Sequence, residues 1–235
     1  MPRKSRLTVV GVPEHIIQRG IKRQAVFLAE DDMQAYVAWL EEYAKKYQVA
    51  IHAWVLMPNH VHLLCTPASS NSISRMMQSI GRMYVQYFNR KYKRSGTLWE
   101  GRFKSCLLEE KPYLLPLYRY IELNPVRAGL VDEPMNYVWS SYQCNALGKS
   151  SEWLCPHPIF MALGTNDEER QCAYRELFKE HIEGTLLSDI RQTLNKSLVL
   201  GSEDFVKELE ALTGKILKAG KRGRPVGWRK VVKST

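Results

Sequence analysis

Two histidines, His60 and His62, stand two positions apart in the segment HVH. In a β-strand such residues project to the same face, so the pair would present two imidazoles side by side. Imidazole is a common ligand of divalent metal ions, but two ligands leave an ion undercoordinated. Two histidines packed in a core or on a surface explain the motif equally well when it is taken alone. A metal site therefore needs further ligands from elsewhere in the chain.

The segment YRYIELNP supplies candidate groups of this kind. Tyr120 and Asn124 are four residues apart, which places a phenol and an amide oxygen on one face of a helix. Tyr118 and Glu122 have the same spacing on a neighbouring face, and a carboxylate is the better ligand for a hard cation. Spacing alone does not decide between the two pairs. An amphipathic helix with tyrosines in the core, stopped before Pro125, is the simpler alternative for both.

The hydrophobic pattern predicts the elements that would position these residues. The order of strands and helices favours an α+β fold, an antiparallel sheet with helices packed against one face, rather than a parallel doubly wound fold. Pro116 is expected to bend the last helix or to move its start. The predicted elements are a strand at 15–18, a helix at 31–47, a hairpin of strands 51–57 and 60–66, a helix at 72–94, one or two strands within 97–108 and a helix at 111–124.

Composition narrows the class of protein. The chain has 235 residues, of which 45% are hydrophobic, enough for a core of ordinary size. We expect no membrane span, because no apolar run approaches about 18 residues. The apolar stretch that follows MPRKSR is shorter than that of a secretory leader, which favours a cytoplasmic protein. The five cysteines form no CxxC pair, so they indicate neither a disulfide framework nor a zinc ribbon.

The net charge of +10 is distributed unevenly and favours a polyanionic partner. Residues 75–104 contain eight basic residues and one acid, with aromatic residues between them, as expected for a surface that binds single-stranded nucleic acid. Residues 211–235 contain eight basic residues and no acid. The change to helical patterning from about Leu147 and the basic C-terminal run predict a first domain at 1–147, a helical extension at 148–213 and a basic flexible tail at 214–235.

Four segments together resemble a known family. AWVLMPNHVHLL (53–64), SGTLWEGRFKS (95–105), RYIELNPVRAGLV (119–131) and WSSY (139–142) look like the IS200-like single-tyrosine transposases, also called HUH transposases. The resemblance covers about residues 8–145 and is strongest to the branch associated with repetitive extragenic palindromes (REP). It implies a ferredoxin- or RRM-like HUH nuclease core.

The resemblance also implies residue roles. The H-hydrophobic-H motif supplies two metal ligands, which fall on His60 and His62. The tyrosine that opens the YIxxNP motif is the nucleophile, which falls on Tyr120. The polar residue four positions later, Asn124, completes the site for Mg²⁺ or Mn²⁺, although the insertion-sequence members mostly have glutamine there. Tyr118 and Glu122 have no role in this pattern.

The implied reaction is cleavage and strand transfer of single-stranded or hairpin DNA through a 5′-phosphotyrosine. The enzyme would be a transposase or a host-domesticated relative acting on repetitive hairpin DNA, a monomer or homodimer associated with the nucleoid. Arg102 and Lys104 are the preferred DNA contacts in the catalytic domain. Arg222 and Arg224 lie in KRGRP, which resembles an AT-hook, an extended segment that binds the minor groove of A·T-rich DNA.

Two other functions remain open from the sequence. A non-catalytic protein could bind single-stranded nucleic acid through the aromatic residues of its sheet, with the HVH pair inert. A metal-dependent phosphodiesterase could use water as nucleophile and Glu122 as base, with no covalent intermediate. A gel assay with end-labelled single-stranded DNA would separate the three functions. A covalent adduct indicates the transposase, a free product the phosphodiesterase, and a shift in mobility alone the binding protein.

Overall fold

Five strands form one mixed sheet in the computed structural model, which describes residues 7–179, 184–196 and 198–217. Four strands pair antiparallel and the fifth, very short, runs parallel to the fourth. The strands are β1 (Glu14–Arg19), β2 (Val49–Met57), β3 (His60–Pro67), β4 (Lys104–Leu108) and β5 (Val199–Leu200), and their order across the sheet is β2-β3-β1-β4-β5.

Nine α-helices occur within the described ranges, three of them only four residues long. The long ones are close to their predicted positions, and only β4 forms within the segment predicted to hold one or two strands. The helices are α1 (Glu30–Lys46), α2 (Ser72–Lys91), α3 (Glu110–Glu122), α4 (Asn124–Arg127), α5 (Tyr142–Asn145), α6 (Pro158–Met161), α7 (Asp167–Glu176), α8 (Gly184–Lys196) and α9 (Glu203–Thr213); two 3₁₀ turns span Ile21–Arg23 and Pro134–Asn136.

The β2–β3 hairpin turns at Pro58 and Asn59, as predicted, and pairs Met57 with His60. Because side chains alternate along β3, Val61 and Leu63 face one side of the sheet, and His60 and His62 face the other. The register along β2 shifts between Ile51 and Ala53, so the hairpin contains a bulge. The bulge lies at the opposite end of the hairpin from the turn that carries the histidines.

Helices cover both faces of the sheet. The side chains of α1 and α2 pack with Leu63 and Ile16 in one core, while those of α3 pack with Leu64 and Val55 in a second core on the opposite face. The α+β class is confirmed, but the helices are not confined to one face as the element order favoured. The central strands explain this, because β2 and β3 are apolar and buried on both sides over most of their length.

Helix α3 runs from Glu110 to Glu122 with Pro116 inside it, so its start is not moved to the proline. A proline removes one backbone hydrogen bond and costs about 3 kcal/mol inside a helix. The buried side chains of Leu114, Leu117 and Ile121 anchor α3 on both sides of that point. Tertiary packing therefore offsets the local penalty.

The segment predicted as a separate helical extension packs closely on α3. The ring of Phe160 stacks on Tyr118 with centroids 5.7 Å apart, and Tyr174 contacts both rings edge-on. Strand β5 extends the sheet beside β4. A boundary near residue 147 stays a prediction, although residues on both sides of it share one core. No helix of the described segments is long and apolar enough to cross a membrane.

Candidate active site

His60 and His62 lie on the face of β3 that α3 covers. His60 pairs across the sheet with Arg19, and His62 pairs with Ile17. Their ring centroids are 4.9 Å apart, so the strand alternation does place the two imidazoles side by side. His62 is almost completely buried, with 2% of its surface exposed, and His60 is half-buried at the edge of the site.

The neighbouring turn fixes the protonation of His60. Its Nδ1 lies 2.6 Å from Oδ1 of Asn59, whose own Nδ2 donates to the carbonyl of Arg23. An amide oxygen only accepts, so Nδ1 of His60 carries the proton and Nε2 keeps its lone pair. Burial, with the nearby charge of Arg19, lowers the pKa of His60 to about 4. His60 is therefore a neutral imidazole with a free ligand nitrogen at neutral pH.

His62 is neutral for the same reason, because burial holds its pKa well below the usual range. Its Nδ1 faces Nε2 of His15 at 2.8 Å, and the two rings are stacked with centroids 5.0 Å apart. His15 was not predicted as a site residue. A signal existed in the strand pattern, since His15 shares a face of β1 with Ile17, but only the strand register reveals the contact.

Tyr120 lies on the buried side of α3 and reaches the two histidines of the sheet interior. Its ring stands perpendicular to that of His62 at 5.8 Å between centroids, and edge-on to His15 at 5.7 Å. The side chain is 5% exposed. The predicted phenol and the predicted imidazoles thus meet on one face of the sheet, within a single chain.

Asn124 opens α4, one helical turn after Tyr120. Its Nδ2 donates to the carbonyl oxygens of Tyr120 at 2.9 Å and of Ile121 at 3.2 Å. These two bonds fix the amide plane and leave Oδ1 as the acceptor atom. The amide is thus anchored to the helix that carries Tyr120, and its role as a ligand stays a prediction.

Arg127 is a site residue that the sequence analysis missed. Its guanidinium carbon lies 4.3 Å from the centroid of the Tyr120 ring, and its Nη2 donates to the carbonyl of Tyr120 at 2.7 Å. The residue as a whole is exposed, but partial burial of its charged end lowers its pKa to about 10, so it stays charged at neutral pH. Its spacing of seven residues from Tyr120, two helical turns, was the signal available.

Tyr118 and Glu122, the second candidate pair on α3, contact the later helices. Glu122 is fully buried and accepts hydrogen bonds from Oγ of Ser141 (2.5 Å), Nδ2 of Asn145 (2.8 Å) and the hydroxyl of Tyr174 (2.6 Å). Tyr118 stacks on Phe160 in the same core. These three partners belong to α7 and the α5 region, which gives no support to Glu122 as a base acting on water beside the histidines.

The part of the chain that contains His60, His62 and Tyr120 matches a known protein family. Residues 8–124, about half of the chain, match the model of the family "Transposase IS200 like". The chain belongs to the IS200-like transposase family. The matched region contains the HVH segment, Tyr120 and Asn124, and it ends where α4 begins. No curated protein sequence matches this chain.

Two solved structures resemble the chain. A REP-associated tyrosine transposase bound to a REP hairpin matches with a TM-score of 0.52 and 17% identity, over 68% of this chain and 93% of that one. A candidate transposase from Deinococcus radiodurans R1 matches with a TM-score of 0.37 and 19% identity, over 52% of this chain and 96% of that one. The first likeness, at this low identity, concerns the fold alone and confirms the α+β architecture.

The predicted DNA-binding residues of the catalytic region and the basic residues of α2 lie on different faces of the sheet. Lys104, the first residue of β4, pairs with Ile17 of β1, and Ile17 also pairs with His62 of β3. Residues paired across strands share a face, so the side chains of Lys104 and His62 lie on the same face of the sheet. Arg102 is exposed in the segment just before β4. In contrast, the basic residues of 75–94 belong largely to α2, which covers the opposite face. Arg222 and Arg224 lie outside the described residues.

The donor atoms of the site fit a divalent cation. His60 offers a neutral Nε2, His62 is a neutral imidazole beside it, and Asn124 offers an amide oxygen on the adjoining helix. Imidazole with amide oxygen suits Mn²⁺, and Mg²⁺ accepts the oxygen ligand more readily than the imidazoles. Across the described ranges no group of three or more His, Cys, Asp or Glu residues is arranged to hold a metal. An amide as third ligand is compatible with that finding.

Proposed function

We propose that this transposase cleaves and rejoins single-stranded DNA through a covalent 5′-phosphotyrosine on Tyr120, with a divalent metal ion held by His60, His62 and Asn124. The observation that carries the proposal is the meeting of the Tyr120 and His62 rings, 5.8 Å apart, on one buried face of the sheet. Membership of the IS200-like family supports a transposase role, and the geometry supplies a nucleophile beside a candidate metal site.

The reaction requires one bond exchange. The phenol oxygen of Tyr120 attacks the phosphorus, the bond to the 3′ oxygen breaks, and the proton lost by the phenol is balanced by the one gained by the departing 3′-hydroxyl. A bound divalent cation would withdraw charge from the phosphate oxygens. The phosphotyrosine keeps the energy of the phosphodiester, so a second 3′-hydroxyl can attack it and restore the free phenol without ATP.

The surroundings of Tyr120 favour this role. The ring is held between His62, His15 and the guanidinium of Arg127, which limits its rotation and keeps it next to the candidate metal ligands. Restricting the nucleophile in this way removes part of the entropic cost of attack. Since one chain supplies both the phenol and the imidazoles, we propose that a single subunit contains a complete site.

We propose single-stranded or hairpin DNA as the substrate. Arg102 and Lys104, on or next to the strand edge beyond Ile17, would contact phosphates close to the histidines. Arg19, paired with His60, adds a further positive charge at the edge of the site. The related REP-associated transposase was solved with a REP hairpin, which supports hairpin DNA for this chain as well.

End-labelled oligonucleotides test the function directly. Single-stranded DNA incubated with the protein and Mn²⁺ should yield a covalent adduct that carries the 3′-end label on a denaturing gel, because the phosphotyrosine retains the 3′ segment. A 5′-end label should appear in a shorter free product. Two free products with no adduct would indicate hydrolysis by water instead, and a shift on a native gel alone would indicate a non-catalytic binding protein.

The metal requirement gives a separate prediction. Chelation by EDTA should abolish adduct formation, because the proposed reaction depends on the metal ion. Mn²⁺ in excess should restore it at neutral pH, because His60 and His62 are neutral there and need not lose a proton to bind the ion. His62→Ala should lower the rate by about 100-fold or more at saturating metal. His52→Ala is the matched control, since this buried histidine bonds Cys155 and Thr66 instead. Full activity in EDTA would exclude the metal from the proposal.

Arg127→Gln should slow adduct formation about tenfold with little change in DNA affinity. The substitution removes a cation–π contact of about 0.5–2 kcal/mol and a charged hydrogen bond to the helix that carries the nucleophile. Single-turnover rates measure the effect. Arg175→Gln is the matched control, because Arg175 also donates to a backbone carbonyl, that of Ala146, outside the site. Equal rates for the two variants would contradict a role for Arg127.

A further inference from the structure

His15 occupies a buried position behind the candidate metal site. It lies on β1, pairs with Leu64 and shares the sheet face of His62, its diagonal neighbour on β3. No part of the residue is exposed. Its Nε2 lies 2.8 Å from Nδ1 of His62, the two planes differ by only 21°, and its ring also contacts Tyr120 edge-on.

The contact between the two rings constrains their protons. Both imidazoles are buried, and the 2.8 Å between their facing nitrogens is the length of a hydrogen bond. A hydrogen bond between the two facing nitrogens therefore needs exactly one proton. If Nδ1 of His62 carries it, Nε2 of His62 keeps a lone pair for a metal ion. If Nε2 of His15 carries it, Nε2 of His62 is protonated and cannot be a ligand.

A second observation shows that His15 is costly as a core residue. Its Nδ1 is buried and has no hydrogen-bond partner in the described part of the chain. A buried polar atom without a partner costs about 1–3 kcal/mol, which an apolar side chain would avoid. The neighbours Ile17 and Cys106 form an apolar cluster with Leu194 on the same face, so an apolar residue would suit this environment. The buried imidazole therefore lowers the stability of the fold, and its ring is hydrogen-bonded to His62 in the described part of the chain.

We propose that His15 is a positioning residue that accepts the Nδ1 proton of His62 and so holds Nε2 of His62 available for the metal ion. The proposal rests on the proposed function in assigning a metal to His62. It gives both ligands the same support: Oδ1 of Asn59 accepts from Nδ1 of His60, and Nε2 of His15 accepts from Nδ1 of His62. Partners of this kind fix the ring orientation and the tautomer of a ligating histidine.

Metal affinity of the full chain tests the proposal without any DNA. Calorimetric titration with Mn²⁺ should give a dissociation constant about 10–100-fold higher for His15→Phe than for the unmodified protein. His15→Gln, which can accept the same proton through Oε1, should recover most of the loss. His52→Phe controls for the removal of a buried histidine elsewhere. Wild-type affinity in His15→Phe, or the absence of Mn²⁺ binding by the unmodified protein, would overturn the proposal.

The tautomer itself can be measured in the unmodified protein, which makes the test independent of how the variants fold. Two-bond nitrogen–proton correlation spectra of ¹⁵N-labelled protein without metal should show His62 protonated at Nδ1. Protonation at Nε2 would refute the role of His15. The outcomes are separable from those of the proposed function: a protein that binds Mn²⁺ in the expected way but forms no DNA adduct would refute phosphotyrosine chemistry and leave the role of His15 intact.

Discussion

Replacement of Tyr120 by phenylalanine should reduce the covalent protein–DNA adduct below detection while leaving affinity for single-stranded DNA within about threefold. The substitution removes only the hydroxyl, the atom proposed to attack the phosphorus, and no other group of the side chain can form the bond. The ring itself would keep its contacts with His62, His15 and Arg127. Adduct yield on a denaturing gel and affinity from fluorescence anisotropy measure the two effects.

Tyr118→Phe is the matched control for this prediction. Tyr118 lies two residues earlier on α3, is completely buried, and has its ring contacts with Phe160 and Tyr174 of the later helices. Its variant should form the adduct at the wild-type rate. An undiminished adduct in Tyr120→Phe would show that another residue is the nucleophile, and loss of the adduct in both variants would point to damage of α3 instead of missing chemistry.

The second large effect concerns stability and Glu122. Replacing this carboxylate by alanine should destabilise the protein by about 3–5 kcal/mol, because it leaves three buried donors without their acceptor and opens a cavity. Glu122→Gln should cost much less, since it preserves the volume and the amide can exchange hydrogen bonds with Ser141 and with a reoriented hydroxyl of Tyr174. Denaturant unfolding of the two variants measures the difference.

The same residue should make stability depend on pH in a defined direction. Burial raises the pKa of Glu122 from 4.5 to about 7 in the folded protein. The folded state therefore binds more protons than the unfolded state between those values, so this contribution is complete below about pH 4.5 and is lost as the pH rises through 7. The buried histidines act in the opposite direction, because their lowered pKa values reduce stability as the pH falls below 6.5.

The difference between the unmodified protein and Glu122→Gln isolates the carboxyl group from the histidines. Measured at pH 5 and at pH 8, the free energy of unfolding of the unmodified protein relative to the variant should fall by a few kcal/mol at the higher pH. An equal difference at both values would show that the carboxyl group titrates normally and that its burial has been misread.

The part of the site that follows from local spacing was predictable. The HVH alternation placed both imidazoles on one face, and the four-residue spacing placed Asn124 one turn from Tyr120. Spacing did not determine which face of α3 meets the sheet, so Glu122 stayed open as an alternative. That choice depends on the rotation of the helix, which is set by packing against β2 and β3, strands that end more than 40 residues before α3 begins.

His15 and Arg127 were missed for related reasons. The contact of His15 with His62 joins residues 47 apart and exists only because β1 and β3 pair in one particular register. Arg127 stands on a separate short helix, and its approach to the Tyr120 ring depends on how the chain turns at Leu123. The parallel strand β5 escaped prediction as well, since two residues carry no periodicity.

The packing of α3 between the sheet and the later helices bears on C-terminal truncation of the protein. One side of α3 packs against the strands and carries the Tyr120 phenol. Glu122 and Tyr118 on this helix contact the later helices. Removal of the residues after 147 would expose an apolar side of α3 and take away one of the three donors to Glu122, the hydroxyl of Tyr174. We therefore expect a stably folded protein to need residues beyond the family segment 8–124, because later residues pack against the helix that carries Tyr120.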